Sequence, residues 1–424
     1  FAGVHISFTL MSLSFVGLFL VTSNLSTALS VLSTTAFNAI RTYTYCVIPL
    51  FMLMGTIMAV SGSAGDLFKW AHKMLEKVPG GLAAATVIGN AVFAAVTGVR
   101  VATVFSQVAI PEIRKYKYDS NFATGIVCGS SNLGMIIPPS LFFIVYGTVA
   151  QVSIGQLFVG GVLPGILMAI IFIIYTSIYG TRHPAAIGLD PVTRKPLYED
   201  PDPKGKLEST LRALRIVLLI IVVLGGIWGG YVTPTEASAI GCLGAFIIAL
   251  CKRSLTWKST GSILLDTSKG SAGILMLLVS AQMYSRLLSV SGAVKWVSTS
   301  ILSANLPNWA LIGVFLLLVL ALGCVIDGNS IILLTTPIIQ PVIQAMGYNQ
   351  VWWGVILVMA VCIGQITPPF GTIVFACKGV LGDIVDVATI FKHALPYIVL
   401  MLLTIAICMI FPQIILFLPN MMMS

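Results

Sequence analysis

The sequence predicts an all-α polytopic membrane protein built as an inverted repeat, with two re-entrant hairpins and two broken transmembrane helices. Three observations carry that prediction. The 424 residues are 58% hydrophobic and 9% charged, with mean hydropathy +1.02, whereas soluble domains carry roughly 25% charged residues. Apolar runs close to the roughly 20 residues that span a bilayer as helix recur along the chain, for example Val217 to Tyr231, Ala310 to Ile326 and Tyr397 to Leu418. The stretch GMIIPPS, Gly134 to Ser140, returns as GQITPPF, Gly364 to Phe370.

The chain opens at Phe1 inside an apolar run, which predicts a first span that begins upstream of this numbering. Asn24 to Thr42 follows with Leu25, Ala28, Leu29, Leu32, Ala36, Phe37 and Ile40 among many Ser and Thr, a pattern for an interfacial helix. A second such helix is predicted over residues 64–78. There Leu67, Phe68, Trp70, Ala71, Met74, Leu75 and Val78 share one face, opposite the basic residues. Next come an apolar run from Leu82 to Val96, a turn at Thr97-Gly98 and a second run ending at Pro111. With basic residues at both ends, this piece enters and leaves on one side, as a hairpin over 82–111.

Asn121 to Val149 must then cross, yet Pro138 and Pro139 interrupt it. Proline removes an amide donor and clashes with the preceding turn, and the residue before it avoids helical angles. Unwound backbone in a membrane survives only where protein buries it or it lines a wet cavity. The same parts recur 230 residues later: Val60-Ser61-Gly62 maps onto Val290-Ser291-Gly292, Gly98 onto Gly328, Pro111 onto Pro341 and Tyr118 onto Tyr348. Between the hairpins, crossings are expected around residues 121–149, 157–181, 211–231, 235–251 and 270–290. Five is odd, so the second copy is inverted. Inverted repeats with unwound midplane helices mark secondary transporters, whose half-helix ends and freed carbonyls hold substrate and coupling ions.

Most of the 23 Lys and Arg fall in four segments: Lys69 to Lys77, Arg114 to Lys117, Arg182 to Arg215 and Lys252 to Lys258. Short basic loops stay cytoplasmic, so these four are expected on one side; each abuts an apolar span, which argues against a nucleic-acid surface. Eight cysteines are scattered through apolar segments without metal-ligand or disulfide spacing. His5, His72, His183 and His393 lie far apart, no carboxylate cluster recurs within the spans and no phosphate loop is present. A membrane enzyme and a channel are therefore the weaker readings.

The segments GGYVTPTEASAIG (Gly229 to Gly241), GMIIPPSLFFIVYG (Gly134 to Gly147), VIDGNSIILLTTPIIQP (Val325 to Pro341) and GQITPPFGTIVF (Gly364 to Phe375) resemble the large membrane (M) subunit of tripartite ATP-independent periplasmic (TRAP) transporters. The resemblance covers nearly the whole chain. It implies a multi-pass protein of the bacterial inner membrane that takes up a small organic anion with sodium by an elevator movement. It also implies a small membrane subunit of Q type, a periplasmic binding protein of P type, and no cofactor or transition metal beyond the coupling sodium ions. A stand-alone sodium-coupled anion carrier of similar design is the nearest alternative.

On that plan residues 1–44 and 211–265 are scaffold, 45–181 and 266–418 the repeats, 182–210 a cytoplasmic linker and 419–424 a tail. The second hairpin is expected over 306–345 and the second broken helix over 351–380. Sodium, a hard cation, is expected at the hairpin turns and breaks: Thr97, Gly98, Gly134, Ile137 and Pro138 in one copy, Asp327, Gly328, Gly364, Thr367 and Pro368 in the other. Each turn should face its break. Substrate is expected at Arg100, Ser130, Asn132, Asp327, Asn329 and Ser330. For any one of the glycines taken alone, simple close packing of helices is a reasonable reading. Arg100 departs from the family, whose turn usually has a small or hydroxyl residue there. It is open as an anion clamp, as a partner of Asp327 or as a bystander at the aqueous mouth, and it weakens the first sodium site. Thr233-Pro-Thr-Glu236 is best explained as a helix cap.

Overall fold

A computed structural model describes residues 4–75, 80–97, 101–193, 197, 206–303, 306–382 and 385–422. The chain is helical throughout, without named strands among the described residues; one isolated bridge, Tyr118 to Ile187, ties the linker to the end of the first hairpin. In the same linker the Asp190 carboxylate accepts from the amides of Thr193 and Val192, which hold it below its ordinary range.

Helices α1 (Ile6–Thr22) and α2 (Leu25–Arg41) meet at Asn24, whose side chain accepts from the Thr27 amide at 3.1 Å and caps α2. The apolar face of α2 packs Ala28 and Leu32 against Leu18 of α1 and against Met283. After a 3-10 turn (Tyr43–Cys46) come α3 (Val47–Val60) and α4 (Ser63–Leu75), joined at Gly62 with φ 70. On α4, Ala64, Leu67, Phe68 and Ala71 are buried and Lys69 is exposed, as the pattern requires; Met74, placed on that face by spacing, is exposed instead. The helix is described to Leu75, and Val78 lies outside the described residues.

Helices α5 (Gly81–Thr97) and α6 (Val101–Lys115) form the first hairpin. Pro111 does not end α6, which continues one turn to Lys115 with Pro111 inside it. The interrupted crossing is α7 (Ser120–Ser131), α8 (Leu133–Ile136) and α9 (Leu141–Ala150). Asp119 caps α7 through the Asn121 amide at 2.9 Å. The 29-residue α10 (Ile154–Arg182) leads to the linker, and α11 (Lys206–Trp228) begins before residue 211, where the linker had been expected to end. Helix α12 (Pro234–Cys251) starts with the expected cap: Thr233 and Glu236 exchange side-chain and backbone hydrogen bonds, and Pro234 is the first helical residue.

The largest departure from expectation is α13 (Trp257–Val290), one helix of 34 residues. The boundary at 265/266 falls inside it, and the crossing at 270–290 is only its second part. Lys258, Asp266 and Lys269 ride on this unbroken helix, which is capped by Thr256 and Ser259. The remaining elements are α14 (Ala293–Ser303), α15 (Asn308–Gly323), α16 (Gly328–Ala345), α17 (Gln350–Gly364), α18 (Thr372–Leu381), α19 (Val387–Ile410) and α20 (Gln413–Met422). The run Tyr397 to Leu418 is therefore not one span, because Phe411 and Pro412 separate α19 from α20. Most of the expected tail is the end of α20.

Seven described helical stretches are long and apolar enough to cross a membrane. The order of α3 to α10 recurs as α13 to α19: a helix, a left-handed glycine (Gly62, Gly292), a short helix, a hairpin and an interrupted helix. Both proline pairs, Pro138-Pro139 and Pro368-Pro369, are cis. The interrupted helices occupy the centre of the molecule: Phe122 to Ser131 of α7 and every residue from Val351 to Gly364 of α17 are buried.

Candidate functional site: the hairpin turns and helix breaks

Tandem prolines end the helix at Ile136 because Pro138 and Pro139 offer no amide to continue the ladder. Ile137 is extended, and its amide still bonds back to the Leu133 carbonyl at 2.8 Å. Gly134, Pro138 and Pro139 are buried, so this break is neither continuous helix nor lipid-facing. The second break differs. Gly364 is buried, but Pro368, Pro369 and Phe370 are exposed, so the two copies share a backbone device with different surroundings.

Around the first break the side chains are polar and enclosed. Asn90 of α5 donates to the Ser130 hydroxyl at 2.5 Å, and that hydroxyl donates to the Ile126 carbonyl at 2.6 Å. Asn132, at the joint between α7 and α8, is 0% exposed, and neither its amide oxygen nor its nitrogen has a hydrogen-bond partner among the described residues. The Asn90 oxygen is likewise buried without a partner. Leaving such a group unsatisfied costs about 1–3 kcal/mol. Amide oxygens, like the carbonyls that a helix break frees, are the ligand type a hard cation takes.

The second turn meets its break as expected. A Cβ on Gly328 would come 2.3 Å from the Gln365 amide nitrogen, 2.4 Å from Phe142 and 2.8 Å from Val361. The turn therefore rests against the end of α17 and also against α9. Asp327 caps α16, accepting from the Ser330 amide at 3.1 Å and its hydroxyl at 2.5 Å. It is an exposed capping carboxylate rather than a charge locked in the interior. Asn329 keeps a buried oxygen without a partner, and the Thr367 hydroxyl donates back to Ile363 at 2.7 Å. Gly364 lies backbone to backbone against Gly323: a Cβ there would stand 2.5 Å from the Gly323 Cα. For this glycine, close packing is sufficient reason.

Gly98 and Arg100 lie outside the described residues. Thr97 ends α5, and nothing is described of its side chain. The facing of the first turn on its break is thus not described, although α5 itself packs on α7 and α8.

Several polar residues of this region have no local signature in the sequence. Asn90 sits in an Ala- and Gly-rich helix, and Thr336 and Gln340 sit in α16, each with a buried polar atom lacking a partner. Gln340 also joins the two copies: the Tyr146 hydroxyl of α9 donates to its side-chain oxygen at 2.6 Å and reaches the Gln350 carbonyl at 3.0 Å. On the other flank Ser106 of α6 donates to Cys377 of α18 at 3.4 Å, and the free thiols of Cys377 and Cys128 of α7 share a hydrogen bond. Hairpins and broken helices of both copies therefore interlock as one body.

Residues 1–414 match the family described as tripartite ATP-independent periplasmic transporter, DctM component. The C4-dicarboxylate TRAP transporter large permease protein DctM of Pseudomonas aeruginosa is 30% identical over 91% of this chain and 88% of its own length. The isethionate TRAP transporter permease protein DctMQ of Oleidesulfovibrio alaskensis is 30% identical over 89% of this chain and 58% of its length. Among solved structures, the Alcanivorax borkumensis YdaH transporter superposes with a TM-score of 0.66 at 14% identity, covering 90% of this chain and 87% of that one, a likeness of fold. With a family match over almost all its length and helices enough to cross the membrane many times, the chain belongs to the DctM component of the tripartite ATP-independent periplasmic transporters, a multi-pass transporter subunit of the bacterial inner membrane and not an enzyme.

Proposed function

We propose that the chain is the carrier subunit of a sodium-coupled uptake system for small organic acids, which a periplasmic binding protein delivers. The body of hairpins and broken helices moves against α1, α2, α11 and α12, in elevator fashion. The observation that carries this reading is that Asn90, on a helix packed against the broken crossing, and Asn132, at its joint, each keep a buried amide oxygen without a partner among the described residues, while Ile137 at the break is unwound. Sodium bound there satisfies groups that otherwise cost stability. Asp327, Gly328, Thr367 and Pro368 form the second candidate ion site, with Asn329 and Ser330 beside it for substrate.

Five crossings separate the hairpins, namely α7 to α9 as one, then α10, α11, α12 and α13, which supports an inverted second copy. The basic segments around Arg114, Arg182 and Lys252 then face the cytoplasm. C4-dicarboxylates and isethionate, for which two relatives are named, are both small hydrophilic anions. The isethionate relative, whose name joins M and Q, is long enough to hold a second membrane piece, which supports a small membrane subunit as partner here.

The test is uptake into proteoliposomes holding this chain and its small subunit, with the binding protein outside. Uptake is expected only with an inward sodium gradient and with the binding protein present. Equal uptake under a potassium gradient would contradict sodium coupling, and uptake by the free acid alone would contradict delivery.

A further inference from the structure

A cleft of about 530 Å3 opens where α2, the 3-10 turn and the last part of α13 meet the end of α9. That volume lies within the roughly 300–1,000 Å3 of small-molecule pockets. Its lining includes Thr34, Asn38 and Thr42 from the α2 side, Thr148 and Gln151 from the α9 side, and Arg286 from α13. Arg286 is the one charged lining residue, and among the described residues it forms no ion pair. A guanidinium among neutral groups, with no carboxylate facing it, is a site for an anion.

The hydroxyls narrow the ligand further. Thr34 donates to the Ser30 carbonyl at 2.7 Å, Thr42 to Asn38 at 3.1 Å and Thr148 to Ile144 at 2.7 Å. With their protons directed into their own helices, these three oxygens present lone pairs to the cleft and only accept. A ligand complementary to the whole lining carries an anionic group for Arg286 and hydroxyl donors for the threonines.

We propose that this cleft binds a hydroxylated carboxylate, its carboxylate paired with Arg286 in two hydrogen bonds and its hydroxyls donating to Thr34, Thr42 and Thr148. Arg286 is at the end of α13 remote from Lys252, Arg253 and Lys258, which is the periplasmic end in the orientation given above. The cleft is then an outer station for the cargo before it reaches the breaks, an assignment that rests on the carrier reading.

The test uses the chain with its small subunit in nanodiscs and reads phenylglyoxal modification of Arg286 by peptide mass spectrometry at constant ionic strength. D-gluconate is expected to slow modification of Arg286 several-fold and succinate less, while glucose and chloride leave it unchanged; Arg253, exposed in the turn that precedes α13, keeps its rate throughout. Thr34→Val is expected to bring gluconate down to the level of succinate. Protection by gluconate no greater than by chloride, equal protection by succinate and gluconate, or equal slowing at Arg253 overturns the proposal. In uptake, Arg286→Gln is expected to raise the half-saturating concentration several-fold with the maximal rate retained. Sodium-driven uptake with Arg286 unprotected sinks the cleft alone, whereas protection in a chain that moves no organic acid sinks the carrier reading alone.

Discussion

Asn132 is fully enclosed, and both ends of its amide are without a hydrogen-bond partner among the described residues. If its oxygen serves a bound sodium ion, the residue is a cost to the ion-free fold and a gain once the ion arrives. Asn132→Ala is therefore expected to leave the sodium-free protein as stable as the parent, or more stable by about 1 kcal/mol. Wild type should gain roughly 3 kcal/mol at a hundredfold excess of sodium over its dissociation constant, and the variant should lose most of that gain. Thermal unfolding with sodium or potassium chloride checks both; an equal sodium response in the variant would remove Asn132 from the site. The glycines at the second break differ in what surrounds them. Gly364→Ala drives a methyl into the Gly323 backbone, which cannot swing aside, whereas Gly328→Ala meets the ends of Gln365, Phe142 and Val361. Gly364→Ala is expected to lose about 3 kcal/mol or to fail to fold, and Gly328→Ala to lose about 1–3 kcal/mol, compared by midpoint of thermal unfolding. Proline pairs and glycines announce themselves in a sequence because they dictate backbone. Asn90, Thr336 and Gln340 do not, because their partners lie tens to nearly two hundred residues away, as Ser130 does from Asn90 and Tyr146 from Gln340, or are missing among the described residues, as for Thr336.

Caps and breaks were legible element by element. Thr233, Pro234 and Glu236 form the expected capping box on a surface-exposed helix end, so Thr233→Ala is expected to cost about 1 kcal/mol of stability and leave uptake kinetics unchanged. The bond that joins α9 to α16 is costlier to lose: Tyr146→Phe strands the Gln340 side chain in the interior and is expected to destabilise by about 1–3 kcal/mol. Thermal unfolding and initial rates measured on the same preparations separate the two. Helix ends defined only by polarity were the less legible ones. The boundary at 265/266 and the crossing at 270–290 were the expectations here, but a helix that extends past the apolar slab carries polar residues such as Asp266 and Lys269 without ending, and α13 does so. Pro111 was read as a stop and is instead carried within α6, as prolines in membrane helices often are.

At the scale of the whole molecule, the 230-residue offset foretold the order of the elements, because each copy repeats the same turns and breaks. The same offset sets Asn90, Ser130 and Asn132 opposite Leu320, Ala360 and Cys362, so the copies share turns and breaks but not polarity. A moving body also makes a mechanical prediction. Asn38 on α2 and Gln151 at the end of α9 line one cleft from opposite sides of the proposed sliding boundary. Joining Asn38→Cys to Gln151→Cys with a bifunctional thiol reagent, in a background without other cysteines, is expected to abolish uptake until the link is reduced. Uptake that persists across a complete cross-link would show that α9 does not move against α2.

Coupling itself is tested most directly by following radioactive sodium and labelled organic acid into the same proteoliposomes. The buried oxygens at the broken helices predict that the two enter together in a fixed ratio, and that Asn132→Ala lowers or uncouples the sodium flux. Organic acid that accumulates against its gradient with no accompanying sodium would contradict the ion site at the breaks.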